Sequence, residues 1–137
     1  EGEVMGVLFD TSVLIGLERA SSRLDQLILG KEGEPFGISA ITVSELLHGV
    51  HRADSDKRRI IREAFVEKII EVFTVFPFDI NAARIYAGIW AGLAKRGKAV
   101  GAHDLIIGAT CISLGFSLAT LDLRDYGLIE GLNIASL

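Results

Sequence analysis

The chain has 137 residues, half of them hydrophobic, and a single cysteine, which cannot form an intrachain disulfide. This length predicts one domain, residues 1–137, whose core is large enough to need no disulfide, and the cysteine count favours the reducing cytoplasm. The net charge of −4 argues against non-specific nucleic-acid binding through a basic surface, and no apolar run is long enough to span a membrane.

The first half of the chain alternates between strand and helix patterns. Short apolar runs bounded by polar residues predict strands, and apolar residues at helical spacing predict helices. The expected elements are, in order, a strand at 4–9, a helix at 12–20, a helix through Leu24, Leu27 and Ile28 that stops at Gly30, a turn at 31–35, a strand at 36–41, a helix from Thr42 to Asp54 and a longer helix to about Phe73.

The second half continues this alternation. Pro77 marks the strand that contains it as short or at an edge of the sheet. The expected elements are a strand at 74–78, a helix from Asp79 to the basic turn 95–98, an almost uniformly apolar helix at 104–114 closed by Gly115, a strand at 116–121, a turn at 122–127 and a strand at 132–137. The alternation predicts an α/β fold, a three-layer α/β/α sandwich with a mainly parallel central sheet.

Two helices carry apolar stripes that are expected to face the core. In the helix that ends near Phe73 the stripe contains Ile60, Ile61, Ala64, Phe65, Ile69 and Ile70. In the helix that begins at Asp79 it contains Ala83, Tyr86, Ala87, Trp90, Leu93 and Ala94. For Tyr86 and Trp90 a core position or a dimer contact is favoured over base stacking, and Cys111 is expected to be a small packing residue.

Four acidic residues are expected to meet at one edge of the sheet. Asp10 directly follows the first strand, Glu45 lies one turn past the end of the second, and Asp122 follows the strand at 116–121. Because parallel strands share a carboxyl end, these three should lie at the same edge, where ligands bind in open α/β sheets. Asp104, in the first turn of the apolar helix, could face them from there.

Each of these acids also has a purely structural interpretation. Asp10 could cap the helix that follows it, and Glu45 is the fourth residue of a capping box that begins at Thr42. Asp104 is favourable near a helix start, and Asp122 and Asp125 suit a turn. Taken singly, capping is the commoner role for such acids. Taken together, several adjacent carboxylates repel one another unless a cation lies between them, and oxygen ligands favour Mg²⁺ or Mn²⁺.

Four sequence blocks carry a resemblance to a known family. They are LFDTSVLI at 8–15, TVSELLHG at 42–49, HDLIIGA at 103–109 and TLDLRDY at 120–126. In this order they resemble the signature blocks of PIN domains, most closely those of the VapC-type toxins of prokaryotic toxin–antitoxin pairs. The blocks extend over nearly the whole chain.

The resemblance implies a Mg²⁺- or Mn²⁺-dependent endoribonuclease toxin that cleaves structured RNA, such as a tRNA. It also implies a homodimer and a cognate VapB-type antitoxin that covers the active site. The implied catalytic acids are Asp10, Glu45, Asp104 and Asp122, and Thr11, Ser12 and Thr120 match hydroxyl positions that orient the acids or a metal-bound water.

Two details of the last block depart from the family pattern. It offers two acids, Asp122 and Asp125, and we favour Asp122 as the metal ligand because it directly ends the strand. Tyr126 stands where Phe is more usual, and we expect only a change in packing.

The expected mechanism is hydrolysis by a metal-activated water. Asp10, Asp104 and Asp122 would hold the metal, and Glu45 would bind it directly or through water. A water activated in this way attacks the phosphodiester in line, so the products should carry 5′-phosphate and 3′-hydroxyl ends.

Basic residues near the acids are candidates for RNA contacts. Lys95, Arg96 and Lys98 shortly precede the Asp104 helix, where they could line an RNA path or simply be solvated. His48 and His51 are three residues apart on one helix, but a solvated face is favoured over a metal site because no third ligand is near in sequence.

The main alternative to the nuclease is a non-catalytic protein-interaction module whose acids only cap helices. Stabilisation by Mg²⁺ or Mn²⁺ would separate the two, because only a metal site gains stability from the ion. A receiver-type phosphoacceptor domain would need an acidic pair before Asp10 and a late lysine, and no Lys follows Lys98. A dinucleotide-binding domain would need a glycine-rich turn after the first strand.

Overall fold

A computed structural model describes residues 5–19 and 33–136 of the chain. The elements in these ranges are β1 (Val7–Phe9), α1 (Thr11–Arg19), β2 (Phe36–Ser39), α2 (Ala40–His51), α3 (Asp56–Val72), β3 (Thr74–Phe76), α4 (Ile80–Lys95), α5 (Ala102–Leu114), β4 (Ser117–Ala119), α6 (Leu123–Tyr126) and β5 (Asn133–Ile134). The predicted helix through Leu24 and Ile28 lies outside the described residues. Among the described helices none is both long and apolar enough to cross a membrane.

The five strands form one parallel sheet in the order β3-β2-β1-β4-β5. β1 lies at its centre, where Val7 pairs with Phe36 of β2 on one side and with Ser117 of β4 on the other. Because all the strands run in the same direction, the residues that follow β1, β2 and β4 come to one edge. β3 is an edge strand, as Pro77 predicted.

Helices cover both faces of the sheet. Val7 and Phe9 belong to a buried cluster with residues of α1, α2 and α3, whereas Leu8 belongs to a second cluster with residues of α4 and α5. Side chains that alternate in this way between two apolar layers are typical of a sheet buried on both faces. The predicted three-layer α/β/α sandwich is therefore confirmed.

Two element boundaries differ from the prediction at points that affect the site. β2 ends at Ser39 rather than at 41, and α2 begins at Ala40 rather than at Thr42. Ser39 is the N-cap, since its hydroxyl accepts a hydrogen bond from the Ile41 amide at 3.3 Å. The segment predicted as a turn at 122–127 contains the short helix α6, with Asp122 as its N-cap.

The predicted apolar stripes of α3 and α4 are partly wrong. Ile60 and Ile61 are 64% and 60% exposed, because α3 contributes to the core only through its second half, which includes Val66 and Ile69. Trp90 of α4 is likewise 61% exposed. The helical spacing identified apolar faces correctly, but these parts of them do not lie on the sheet.

Candidate active site

The C-terminal edge of the sheet brings together residues that are far apart in sequence. Asp10 follows β1 and Thr120 follows β4, and the Asp10 amide donates a 2.9 Å hydrogen bond to the Ala119 carbonyl. Glu45 lies on α2, which leaves the same edge from β2. The parallel topology therefore sets the positions of the first two acids before any side chain is considered.

Hydroxyl groups surround the Asp10 carboxylate, which is 4% exposed. Ser12 and Thr120 donate to its Oδ2 at 2.7 and 2.8 Å, and the Tyr126 hydroxyl donates to its Oδ1 at 2.9 Å. These partners are all side chains, so they do not support the capping interpretation of Asp10. Several charge-assisted hydrogen bonds to one carboxylate fix its orientation.

Ser12 and Thr120 also hold the segment that carries the next acid. The Leu121 amide donates to Ser12 Oγ and the Asp122 amide donates to Thr120 Oγ1, each at 3.0 Å. The same hydroxyls therefore orient Asp10 and fix the chain that leads into α6. Both hydroxyls therefore contact Asp10, and the supporting role expected for Ser12 and Thr120 stays a prediction.

Glu45 lies in the second turn of α2, so the predicted capping box with Thr42 is wrong. Its Oε1 accepts a 2.5 Å hydrogen bond from the Thr11 hydroxyl, and its Oε2 lies 3.1 Å from Nδ1 of His103. Thr42 is instead buried, with its hydroxyl 3.0 Å from that of Thr11. Glu45 is thus linked to the residue after Asp10 and to the residue before Asp104.

Asp104, Asp122 and Asp125 form a group in which one carboxylate oxygen of each lies within 4.8 Å of the other two. Asp122 also caps α6, since its Oδ1 accepts a 3.2 Å hydrogen bond from the Asp125 amide. The structural interpretation is therefore correct for Asp122, without excluding a second role. Both acids of the last block lie beside Asp104, so either can complete a metal site with it.

The acids act on one another electrostatically. Burial is the largest cause that raises the pKa of Asp104, and repulsion by Asp10, Asp122 and Glu45 raises it further. The hydrogen bond from Tyr126 acts in the opposite direction. The four acids expected to converge therefore share one electrostatic environment, in which a cation would relieve the repulsion.

The donor set fits a hard divalent cation. The three-carboxylate group offers only oxygen ligands, without a thiolate or imidazole among its members. Such sets bind Mg²⁺ or Mn²⁺ in preference to zinc, which takes nitrogen and sulfur ligands. Asp10 lies next to this group through the hydroxyl of Tyr126, which also donates to Asp104.

The sequence did not predict that Tyr126 and His103 contact the acids. Tyr126 was expected only to change packing, and this is wrong: its hydroxyl lies 2.9 Å from Asp10 Oδ1 and 3.1 Å from Asp104 Oδ1. The available signal was that a buried tyrosine hydroxyl normally finds a hydrogen-bond partner, and the nearest acids belonged to the site.

The remaining candidates lie outside this network. Lys95 and Lys98 are exposed, and Arg96 donates to the carbonyls of Gly92 and Leu128. Cys111 is buried as predicted, and burial raises the pKa of its thiol to about 12. His48 and His51 are exposed, as expected for a solvated helix face.

Comparison with known proteins identifies the family. The model of the PIN domain matches residues 7–127. Ribonuclease VapC1 of Rickettsia felis is 39% identical over 95% of this chain and 95% of its own length. The chain is a PIN domain of the VapC family.

Other relatives agree with this assignment. The tRNA(fMet)-specific endonuclease VapC of Salmonella typhimurium is 34% identical, over 71% of each chain. The crystal structure of DNA-bound VapBC from Salmonella typhimurium contains a chain that matches with a TM-score of 0.84 and 27% identity, covering 96% of this PIN domain and 98% of that chain. The family resemblance drawn from the four sequence blocks is therefore confirmed.

Proposed function

We propose that this protein is a divalent-metal-dependent endoribonuclease, the toxin of a toxin–antitoxin pair, that cleaves structured RNA such as a tRNA. The observation that carries the proposal is the convergence of Asp10, Glu45, Asp104 and Asp122 at one edge of the sheet. Membership of the VapC family supports the reaction class. The tRNA-specific relative supports the class of substrate.

Each acid has a defined part in this proposal. Asp10, Asp104 and Asp122 hold the cation, Glu45 binds it directly or through water, and Asp125 can replace Asp122. When bound, a divalent cation polarises the scissile phosphate and activates a water. The chain's own hydroxyls, Ser12 and Thr120 at Asp10 and Thr11 at Glu45, keep the carboxylates in place, whichever of the two acids of the last block is the ligand.

The non-catalytic alternative accounts for fewer contacts. Capping explains Asp122, whose side chain accepts from a backbone amide at the start of α6. It does not explain Asp10 or Glu45, whose carboxylates have side chains rather than backbone amides as their described hydrogen-bond partners. A module that needed only caps would gain nothing from burying Asp10 beside Asp104.

The basic end of α4 is the proposed RNA contact. Lys95 and Lys98 are exposed and can pair with RNA phosphates. A nuclease with an acidic site needs such cations to bind its negatively charged substrate. Arg96 belongs to the same turn, but its guanidinium already donates to two backbone carbonyls. We therefore assign the phosphate contacts mainly to the two lysines.

A VapB-type antitoxin is the proposed protein partner. A groove between α1, α2 and α3 is lined by apolar side chains such as Ile15 and Ile61 and by charged ones such as Glu18 and Arg62. Glu45 also lines this groove, so a segment bound there would reach the acids. Solved VapBC complexes among the structural neighbours support such a partner.

A homodimer through α4 is the proposed oligomeric state. Tyr86 of this helix contacts Trp90 and also Phe78, which lies just before the helix, both edge to face, with ring centroids 5.9 and 5.7 Å apart. Trp90 remains largely exposed, as does Ile80. An exposed aromatic patch on one helix is typical of a protein–protein contact.

The function is tested by mapping the ends of cellular RNA after expression of the chain without a partner. The wild type should produce new 5′-phosphate ends in a small set of structured RNAs, and Asp10→Asn should produce none. Asp54→Asn is the matched control, because Asp54 is an exposed acid that pairs with Arg58 and makes none of the hydrogen bonds of the site. Unchanged RNA ends with the wild type, or cleavage by a folded Asp10→Asn protein, would contradict the proposal.

A further inference from the structure

We propose that Tyr126 is a positioning residue of the metal centre, whose hydroxyl holds the carboxylates of Asp10 and Asp104 at the separation at which they share a cation. This inference rests on the proposed metal dependence. It assigns to Tyr126 a role that neither its position in the sequence nor the family resemblance assigned to it.

The hydroxyl lies between the two acids. It is 2.9 Å from Oδ1 of Asp10, which follows β1, and 3.1 Å from Oδ1 of Asp104, which lies in the first turn of α5. Tyr126 is 1% exposed, and its ring packs in the buried cluster that contains Leu8 and Leu105. The position of the hydroxyl is therefore set by the core rather than by solvent.

This bridge joins Asp10 to the three-carboxylate group. Asp104 belongs to the group with Asp122 and Asp125, and Asp10 does not. The other oxygen of Asp10 already accepts from Ser12 and Thr120, so the Tyr126 hydroxyl is the described contact that Asp10 and Asp104 have in common. Two adjacent carboxylates repel, and a donor held between them offsets that repulsion.

The hydroxyl approaches Asp104 from the interior and leaves the outer side of this carboxylate open. Tyr126 is fully buried, whereas Asp104 and Asp122 are only partly buried, so an ion can reach them from solvent without displacing the phenol. Groups that orient metal ligands in this way typically contribute tenfold or more to metal affinity. If Tyr126 had only a packing role, removal of its hydroxyl would leave the metal affinity unchanged.

The test is the affinity of the full chain for Mn²⁺, measured by calorimetry without RNA. Tyr126→Phe should bind Mn²⁺ about tenfold more weakly than the wild type. Tyr86→Phe is the matched control, because it removes the same oxygen atom from the only other tyrosine, which packs against Phe78 and Trp90 on α4. Its Mn²⁺ affinity should equal that of the wild type.

A second measurement avoids any loss of folding in Tyr126→Phe. In a Tyr86→Phe/Trp90→Phe protein Tyr126 is the only tyrosine and no tryptophan is left, so a change in the tyrosine absorption band on addition of Mg²⁺ reports on Tyr126. We expect a change that saturates at the same Mg²⁺ concentration as the calorimetric binding curve.

Three outcomes would overturn the inference. Equal Mn²⁺ affinity of the wild type and Tyr126→Phe, or Mg²⁺ binding without a change in the tyrosine band, would reject the role of Tyr126 while leaving the metal site in place. Absence of Mn²⁺ binding by the wild type would reject the metal dependence itself, and the inference with it.

Discussion

Thr120 joins two parts of the candidate site through a single hydroxyl. It donates to Asp10 Oδ2 at 2.8 Å and accepts from the Asp122 amide at 3.0 Å. Loss of this hydroxyl would therefore disturb one acid directly and the backbone of another. At the scale of single residues, the site depends on such shared donors as much as on the acids themselves.

Thr120→Val should reduce RNA cleavage by about 10–100-fold, because groups that orient metal ligands contribute by this amount. The buried carboxylate also loses a donor, so the free energy of unfolding should fall by about 1–3 kcal/mol. Thr110→Val is the matched control, since Thr110 is equally buried but donates to the Ile106 carbonyl within α5. If both variants lowered stability and cleavage in parallel, Thr120 would have no specific role.

Asp104→Asn should raise the melting temperature of the metal-free protein by a few degrees. Burial and repulsion raise the pKa of Asp104 above its ordinary value, so the ionised side chain destabilises the folded state. The gain should appear as the pH rises through and above the raised pKa, and disappear at low pH, where the native carboxyl is protonated. Thermal unfolding across pH, with Asp79→Asn at a helix cap as the control, checks this; an equal or lower melting temperature at neutral pH would contradict it.

The acids were predictable from sequence and the groups around them were only partly so. Asp10, Glu45 and Asp122 follow strands of a parallel sheet, and topology alone brings such residues to one edge. The role of Tyr126 was missed because its contacts depend on the direction of the last side chain of the four-residue helix α6. A helix this short has no sequence periodicity from which that direction could be predicted.

At the scale of elements, the start of α2 decides what Glu45 can contact. Ser39 and Thr42 are both good N-caps, and the sequence favours neither strongly. A start at Thr42 would turn Glu45 back towards the helix end, but the actual cap at Ser39 places it in the second turn, against Thr11 and His103. Ser39 is the last residue of β2 that pairs with a neighbouring strand, so the helix begins directly after it rather than at Thr42.

The close packing of β2 against β3 depends on a glycine in β2. A Cβ atom at Gly37 would overlap the Thr74 carbonyl oxygen, so only glycine fits this position. Gly37→Ala should therefore lower the free energy of unfolding by about 1–3 kcal/mol or more. Gly88→Ala is the control in α4, where a Cβ meets nothing within 4 Å, and it should stabilise the protein by about 0.5–1 kcal/mol. Urea unfolding measures both, and equal effects would contradict the packing described.

For the whole molecule, the alternation of strands and helices in the sequence predicted the three-layer sandwich, but it did not predict which apolar side chains are exposed. Helical spacing marks an apolar face without saying whether the face meets the core or a partner. Ile60 and Ile61 were assigned to the core, Trp90 to the core or to a dimer contact, and all three are more than half exposed. These exposed apolar side chains are therefore available for contacts with other proteins.

Trp90→Glu should convert the proposed homodimer to a monomer, because a charge at the centre of an aromatic patch cannot be buried against a second copy without a large desolvation cost. Ile60→Glu, at an equally exposed position on α3, should leave the dimer intact. Sedimentation velocity of the purified chains distinguishes the two states. Dissociation by Ile60→Glu and not by Trp90→Glu would place the contact on α3 instead.

The proposed reaction requires the acids to act together by holding a divalent cation. Its most direct test is the rate at which the purified chain cleaves RNA as a function of Mg²⁺ and Mn²⁺, beside Asp104→Asn purified in the same way. We predict no cleavage in EDTA, full recovery on addition of either ion, and no cleavage by Asp104→Asn at any concentration of either ion. Cleavage that persists in EDTA, or that is equal in the two proteins, would contradict the account.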